Sequence, residues 1–191
     1  MQVIKHKSQR VGVFIDTQNL YHSAKNLYGA RVNFGAILEA AVTDRQLIRA
    51  RAYVVTTEAG DEKNFFEALN KIGIEVKTKD LQIFMGGAKK ADWDVGLAID
   101  AISMAPKLDA VIIVSGDGDF VPLVEYLQTN MGCQVEAVSF GRSTSLRLKE
   151  AVDEFQDLDT DPRKYLIGYA KSGNNNGRRR RSQPKPVENK E

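Results

Sequence analysis

The stretch that decides the fold reads AVIIVSGDGDF and occupies residues 110–120. Its first five residues are apolar, which is typical of a strand buried on both faces of a parallel sheet. Asp117 and Asp119 follow that strand at its carboxyl end, where open α/β sheets bind their ligands. Gly116 and Gly118 allow a sharp backbone turn, so that both carboxylates can face one hard cation. The stretch therefore predicts an α/β fold with an acidic site at one edge of its sheet.

A second apolar strand ends in the same way. Residues 11–15 lead directly into Asp16, and Asn19 follows three residues later. Because crossovers between parallel strands are right-handed, we expect this strand and the strand at 110–115 to be neighbours at the switch point of a doubly wound sheet. Asp16 and Asp117 are then expected to face one crevice.

A third acidic pair opens the apolar helical segment predicted at 93–105. Asp92 and Asp94 lie at its start, and the helix leads into the strand that carries Asp117. Its first turn therefore approaches the same edge of the sheet, where Asp94 is expected to complete the site. Asp100 lies about 120° further around an ideal helix and roughly 9 Å deeper, which predicts a supporting position behind the site.

Structural roles compete with metal binding at these acids. Asp92 and Asp119 each precede a helix-like segment, where a carboxylate caps exposed N–H groups. Asp94 falls in a first turn, which the helix dipole also favours for an acid. Asp16 and Asp117 are harder to explain in this way, because a carboxylate at the end of a buried strand is costly without a partner. These two strand-end acids are the stronger argument for a functional site.

The rest of the chain alternates strand-like and helix-like segments, as βαβ units do. Strands are predicted at 11–16, 49–56, 74–78, 110–115 and 134–139. Helices are predicted at 17–28, 34–43, 61–72, 93–105, 119–131 and 143–152. A short edge strand at 81–84 and a flexible basic loop at 85–91 are predicted between them.

Composition limits the class of protein. The chain has 191 residues, of which 42% are hydrophobic, enough for one domain with a sizeable core. Cys133 is the single cysteine and there are two histidines, so no intrachain disulfide, structural zinc site or Cys/His catalytic pair is expected. No apolar run approaches the length of a membrane span, and we predict a cytoplasmic protein.

Charge is distributed unevenly along the chain. Residues 161–191 contain nine Lys/Arg and three Asp/Glu, so this part carries +6 and the remainder −4. Residues 171–191 have one apolar side chain, too little to offset the entropy of ordering. We therefore predict a domain at 8–160 and a basic, largely disordered tail at 161–191. Phosphate contacts by counterion release are predicted for Arg178, Arg179, Arg180 and Arg181, the alternative being a tail that only increases solubility.

Together these residues resemble the NYN domains of the LabA-like group, which belong to the PIN-like nuclease superfamily. The resemblance covers about residues 11–158. The matching pieces are residues 13–20 (VFIDTQNL), 90–100 (KADWDVGLAID), 115–120 (SGDGDF), and 145–155 with its Ser-Leu and Asp-Glu-Phe. The resemblance implies a three-layer α/β/α PIN-like fold with a central, mainly parallel sheet. It also implies an acidic Mg²⁺ or Mn²⁺ site that cuts RNA.

The resemblance also assigns roles residue by residue. The metal-site and catalytic acids are expected at Asp16, Asp94, Asp117 and Asp119. Supporting positions are expected at Asn19, Asp92, Asp100 and Ser115. The family more often has an apolar residue beside the acid where this chain has Asp92-Trp93-Asp94, so either Asp92 or Asp94 is the ligand. Lys89, Lys90 and Arg142 fall in loops predicted near the same edge, where they either hold RNA phosphates or are ordinary solvated charges.

Two other function classes compete with a metal-dependent endoribonuclease. The first is a catalytically idle regulatory or RNA-binding module, since some LabA-like proteins are regulatory. The second is a haloacid-dehalogenase-like phosphatase, which needs an acid two residues after the first aspartate, where this chain has Gln18. A P-loop or dinucleotide-binding enzyme is excluded because no glycine-rich loop follows the first strand. The sequence leaves a homodimer open.

Overall fold

A sheet of six parallel strands forms the centre of the protein. The computed structural model describes residues 3–56, 62–80 and 93–169, together with the backbone of 82–83 and 89–90. In chain order, the strands are β1 (Arg10–Asp16), β2 (Arg31–Val32), β3 (Gln46–Thr56), β4 (Ile74–Asp80), β5 (Gln82–Ile83), β6 (Lys89–Lys90), β7 (Ala110–Val114), β8 (Gln134–Ser139), β9 (Glu154–Asp157) and β10 (Leu166–Ile167). The helices are α1 (Thr17–Tyr28), α2 (Phe34–Val42), α3 (Lys63–Lys71), α4 (Asp94–Met104), α5 (Val121–Met131), α6 (Leu146–Ala151) and α7 (Pro162–Tyr165).

The order of the central strands is β4-β3-β1-β7-β8-β9, and every neighbouring pair is parallel. β1 and β7 lie side by side in the middle, with Val11 opposite Ala110 and Ile15 opposite Val114. The chain order reverses between these two strands, which makes them the switch point. The predicted adjacency of the two aspartate-bearing strands is confirmed.

Helices cover both faces of the sheet, which confirms the three-layer α/β/α arrangement. On one face, buried residues of α1, α2 and α3 such as Leu20, Ile37 and Leu69 pack against the sheet. On the other face, α4, α5 and α6 contribute residues such as Leu97 and Leu127. The apolar run of β7 is fully buried between these layers, because it is central and covered on both sides.

Several local elements differ from the sequence prediction. β9 was not predicted, because its sequence EFQD has no apolar alternation and all four residues are half-buried at the sheet edge. β5 and β6 form a separate antiparallel pair, where an edge strand and a flexible loop were expected. α5 and α6 start later than predicted, because short 3₁₀ turns at Gly118–Phe120 and Gly141–Ser143 come first.

Residues 170–191 lie outside the described residues, so the predicted disorder and phosphate contacts of this segment stay predictions. The division of the chain at residue 160 stays a prediction, but residues just after it are ordered: α7 and β10 follow, β10 pairs with β2, and Tyr165 and Leu166 are buried in the core. In the described part of the chain, none of the helices has the length and apolar character needed to span a membrane.

Candidate metal centre

Three carboxylates converge at the carboxyl edge of the sheet. Asp94, Asp117 and Asp119 each offer one oxygen, and these oxygens lie within 4.8 Å of one another. Asp117 and Asp119 follow β7, whereas Asp94 is the first residue of α4. The strand end and the helix start are brought together because α4 packs on the face of β1 and β7. The arrangement offers the oxygen ligands that hard divalent cations prefer.

The loop after β7 is held by its own hydrogen bonds. The Asp117 carboxylate accepts a hydrogen bond from the Asp119 N–H at 3.0 Å, and the Asp117 N–H donates to Ser115 Oγ at 3.2 Å. Asp117 therefore caps the 3₁₀ turn that follows it. One carboxylate oxygen suffices for this cap, so a ligand role and a local structural role are compatible at the same residue.

Asp16 is not one of the three converging acids, but Ser115 links it to the loop that carries Asp117. Its carboxylate accepts hydrogen bonds from the Asn19 N–H and from Ser115 Oγ, both at 3.1 Å. It is thus the N-cap of α1. Burial raises the pKa of Asp16, the two hydrogen bonds oppose this effect, and the negative charge of Asp117 adds to it. Asp16 consequently holds a proton more readily than an exposed aspartate does.

Asn19 joins α1 to the same loop. Its side-chain oxygen accepts a hydrogen bond from the Gly116 N–H at 2.9 Å. A Cβ at Gly116 would lie 2.9 Å from Ser139 Oγ, and a Cβ at Gly118 would lie 2.7 Å from Ser145 Oγ. These glycines are therefore required by close packing, not by a left-handed backbone, since neither has a positive φ.

Trp93 fixes the start of α4, a role that the sequence analysis did not predict. Its indole N–H donates to the Val54 carbonyl at 3.0 Å, and its ring centroid lies 5.5 Å from that of Tyr53. A Cβ at Gly96 would lie 2.6 Å from the indole ring, so the ring fills the space above this glycine. Because Trp93 directly precedes Asp94, these contacts position the carboxylate. The signal in the sequence is a lone tryptophan between two acids.

Asp100 is engaged on the far side of α4. It forms ion pairs with Lys77 at 2.6 Å and Arg51 at 3.3 Å, and it accepts a hydrogen bond from the Tyr53 hydroxyl at 2.7 Å. Burial alone would raise the pKa of Asp100, but the hydrogen bonds and the nearby positive charges lower it overall. Burial and the Asp100 carboxylate raise the pKa of Tyr53. Asp100 thus connects α4 to β3 and β4, and its supporting role at the acids stays a prediction.

The basic residues predicted near the site have different outcomes. Arg142 lies at the carboxyl edge of the sheet. Its backbone N–H donates to the Asp159 carboxylate at 2.8 Å, and its guanidinium carbon lies 4.7 Å from the centre of the Tyr28 ring. Its side chain is 56% exposed, which leaves it accessible to a ligand. Lys89 and Lys90 form β6, but their side chains lie outside the described residues, as does Asp92.

Comparison with known proteins agrees with this geometry. The fold and site define an α/β domain with carboxylates at the switch point of a parallel sheet. The NYN domain model matches residues 10–159, and the chain belongs to the NYN domain family. A crystal structure of a protein of unknown function from Vibrio parahaemolyticus has a TM-score of 0.77 and 30% identity, covering 86% of this chain and all of that one. The low amplitude and bright protein LabA of Synechococcus elongatus is 26% identical over 161 residues, which is 80% of this chain and 86% of that protein.

Proposed function

We propose that the protein is a metal-dependent endoribonuclease that hydrolyses RNA phosphodiester bonds. The observation that carries this proposal is the convergence of Asp94, Asp117 and Asp119 within 4.8 Å. The chain belongs to a family of PIN-like nucleases, which favours RNA as the substrate. Asp16 is the fourth acid of the proposed site because it shares Ser115 with the loop of Asp117.

The carboxylates fit a divalent cation of the Mg²⁺ or Mn²⁺ type. Hard cations prefer oxygen ligands, and three like charges at this spacing repel one another unless a cation neutralises them. A bound cation would supply a Lewis acid for the scissile phosphate and an activated water for its hydrolysis. Asp94, Asp117 and Asp119 would hold the cation. Asn19 and Ser115 hold the loop after β7 and the Asp16 side chain in position through their hydrogen bonds.

The decisive experiment is a cleavage assay with labelled single-stranded RNA, structured RNA and DNA. Each substrate is incubated with Mg²⁺, Mn²⁺ or a chelator. We expect cleavage of RNA that requires the cation and that is lost in Asp117→Asn. Activity that persists in chelator would contradict a metal-dependent mechanism.

A second candidate is a regulatory or RNA-binding module without turnover. The hydrogen bonds of two acids favour this second candidate. Asp16 caps α1 and Asp117 caps the 3₁₀ turn that follows it, so both acids have structural roles without metal. The similarity to LabA is consistent with this candidate. RNA that is bound but never cut, under every cation tested, would support it. A cytoplasmic location stays a prediction, and the described residues give no support to a homodimer.

A further inference from the structure

Beside α4, one face of β3 and β4 carries a strip of basic residues, and among the described residues no other helix covers it. α4 covers the middle of this face, whereas β4 is the edge strand beyond β3. α3 lies on the opposite face, where Leu69 packs near Ile74. The face beside α4 carries the basic strip, which is made up of Arg49, Arg51, Lys77 and Lys79.

The strip has a regular spacing along the sheet. In the register of β3 and β4, Arg51 pairs with Glu75, Tyr53 with Lys77 and Val55 with Lys79. Along the sheet, a basic residue therefore recurs every two residues. The first two, Arg49 and Arg51, lie on β3, and the next two, Lys77 and Lys79, lie on β4. Two residues of a strand span about 6.4–6.8 Å. This step is close to the distance between successive phosphates in an extended single strand.

Two acids form ion pairs within the strip. Glu75 pairs with Arg49 at 2.5 Å and with Arg51 at 3.3 Å. Asp100 pairs in turn with Arg51 and Lys77. Arg49, Arg51 and Lys77 thus share two carboxylates. The side chains of Arg49 and Lys77 are 43% and 40% exposed, and Lys79 is exposed as well, so a polyanion in solution can approach all three.

The strip ends near the start of α4. Lys79 Nζ lies 5.8 Å from the centre of the Trp93 ring, and Trp93 directly precedes Asp94. A chain that follows the strip from Arg49 to Lys79 therefore arrives at the start of α4. Residues 1–160 carry a net charge of −4, so a local excess of cations on this face is a distinct attraction for a polyanion.

We propose that the basic strip binds the phosphate backbone of single-stranded RNA and leads it to the three aspartates. The direction towards the site rests on the proposed function, whereas the binding does not require cleavage. An extended strand matches the step of the strip, and the contacts go to phosphates, so we expect little sequence preference. The two acids within the strip keep each contact weak, which suits a path that a substrate must also leave.

The test compares two double variants with the same loss of charge. Arg49→Gln/Lys79→Gln removes both ends of the strip, and Lys63→Gln/Lys71→Gln removes two exposed lysines of α3 on the opposite face. Binding of fluorescein-labelled oligouridylate is followed by anisotropy in chelator across a salt series. We expect the strip variant alone to lose about 10- to 25-fold in affinity at 0.1 M salt, with a log–log salt slope reduced by about 1.4.

A third variant is expected to change RNA affinity in the opposite direction. Glu75→Gln removes an exposed acid from the strip and should tighten oligouridylate binding and steepen the salt slope. Thermal melting of all three variants checks that each remains folded. Equal affinity of the strip and control variants overturns the proposal, as does an effect on duplex RNA alone. Binding is measured in chelator, where the proposed metal-dependent cleavage cannot occur. If the protein binds RNA through the strip but cuts no RNA in the separate assay with Mg²⁺ or Mn²⁺, the proposed nuclease is overturned and this inference stands.

Discussion

The acids of the candidate metal centre are held by hydrogen bonds that need only one carboxylate oxygen. Asp117 accepts from the Asp119 N–H, and Asp16 accepts from the Asn19 N–H. An asparagine retains one oxygen acceptor and so can keep either cap. Charge and structural role are therefore separable by substitution at these positions.

We predict that Asp117→Asn abolishes cation-dependent RNA cleavage but leaves the protein folded. It removes one of several mutually repelling charges, so the metal-free melting temperature should be unchanged or slightly higher. Trp93 is the only tryptophan and adjoins Asp94, so quenching of its fluorescence by Mn²⁺ measures binding directly. The quenching should be lost in the variant.

Asp44→Asn is the matched control. Asp44 is exposed and has a φ of 62°, a conformation that asparagine accepts, so neither stability nor Mn²⁺ binding should change. If Asp117→Asn loses its activity together with a large fall in melting temperature, Asp117 is a structural acid.

The strand-end acids were predictable from sequence because a carboxylate after a buried strand has few structural explanations. Trp93 was not, because its hydrogen bond to Val54 joins residues far apart in the chain. The partners of Asp100 were hidden for the same reason. Helical spacing places Asp100 behind the site, but only the packing of α4 on β3 and β4 shows that it meets Arg51 and Lys77.

At the scale of elements, the start of α4 determines where Asp94 points. We predict that Gly96→Ala destabilises the protein and weakens Mn²⁺ binding. Alanine usually gains about 1 kcal/mol over glycine in a helix. Here its Cβ would meet the indole ring at 2.6 Å, and such overpacking costs about 1–3 kcal/mol.

The same substitution at Gly35 of α2 is the control. The nearest atom to a Cβ there is 3.6 Å away, so Gly35→Ala should raise the melting temperature. Calorimetry of Mn²⁺ binding with thermal melting separates the two variants. If both raise the melting temperature, Trp93 does not hold the start of α4 firmly.

A pH-dependent ion pair joins β1 to the residue before β7. The side chain and backbone N–H of Arg10 donate to Asp109 and lower the pKa of Asp109 to about 2. An unfolded aspartate titrates near pH 3.9. The stabilisation is thus fully present above about pH 4 and is lost as the pH falls towards 2.

We predict that Asp109→Asn lowers the melting temperature at pH 7 and that the difference from the wild type shrinks between pH 4 and 2. Both partners are well exposed, so the effect should be small and should weaken with salt. Melting curves across this pH range test it. Parallel curves for the two proteins would show that the pair does not couple to folding.

Elements with strong apolar periodicity were predictable, whereas the edges of the sheet were not. β7 and β1 are buried on both faces, and their β-branched runs indicate this directly. β9 is held by its pairing with β8 and by half-buried polar residues, a pattern that does not distinguish a strand from a loop. The late starts of α5 and α6 depend on the 3₁₀ turns before them, which have no strong signal of their own.

For the whole molecule, we predict that a bound cation stabilises the fold. A ligand that binds only the native state adds about 2.7 kcal/mol when its concentration is 100 times Kd. For a domain of this size, that corresponds to about 5–10 °C in melting temperature. Mn²⁺ should therefore raise the melting temperature of the wild type and leave that of Asp117→Asn unchanged. An equal rise in the melting temperatures of the wild type and the variant would show that the cation binds away from Asp117.

The last prediction concerns the distribution of charge over the entire chain. Residues 161–191 carry +6 and residues 1–160 carry −4. Removal of residues 172–191, which hold six Lys/Arg and two Asp/Glu, therefore takes a net charge of +4 away from an acidic domain. We expect weaker RNA binding and unchanged Mn²⁺ quenching of Trp93, because the aspartates belong to the described domain. Each lost phosphate contact should reduce the log–log salt slope by about 0.7 for a single strand.

A variant of the 191-residue chain in which Arg178, Arg179, Arg180 and Arg181 are all glutamine separates charge from length. If it reproduces the truncation, the four arginines carry the contacts. If the salt slopes of the wild type and both variants coincide, the segment only increases solubility. RNA binding must then come from surfaces of the domain. The basic strip beside α4 is the first of these to test, since its charges can be removed without altering the tail.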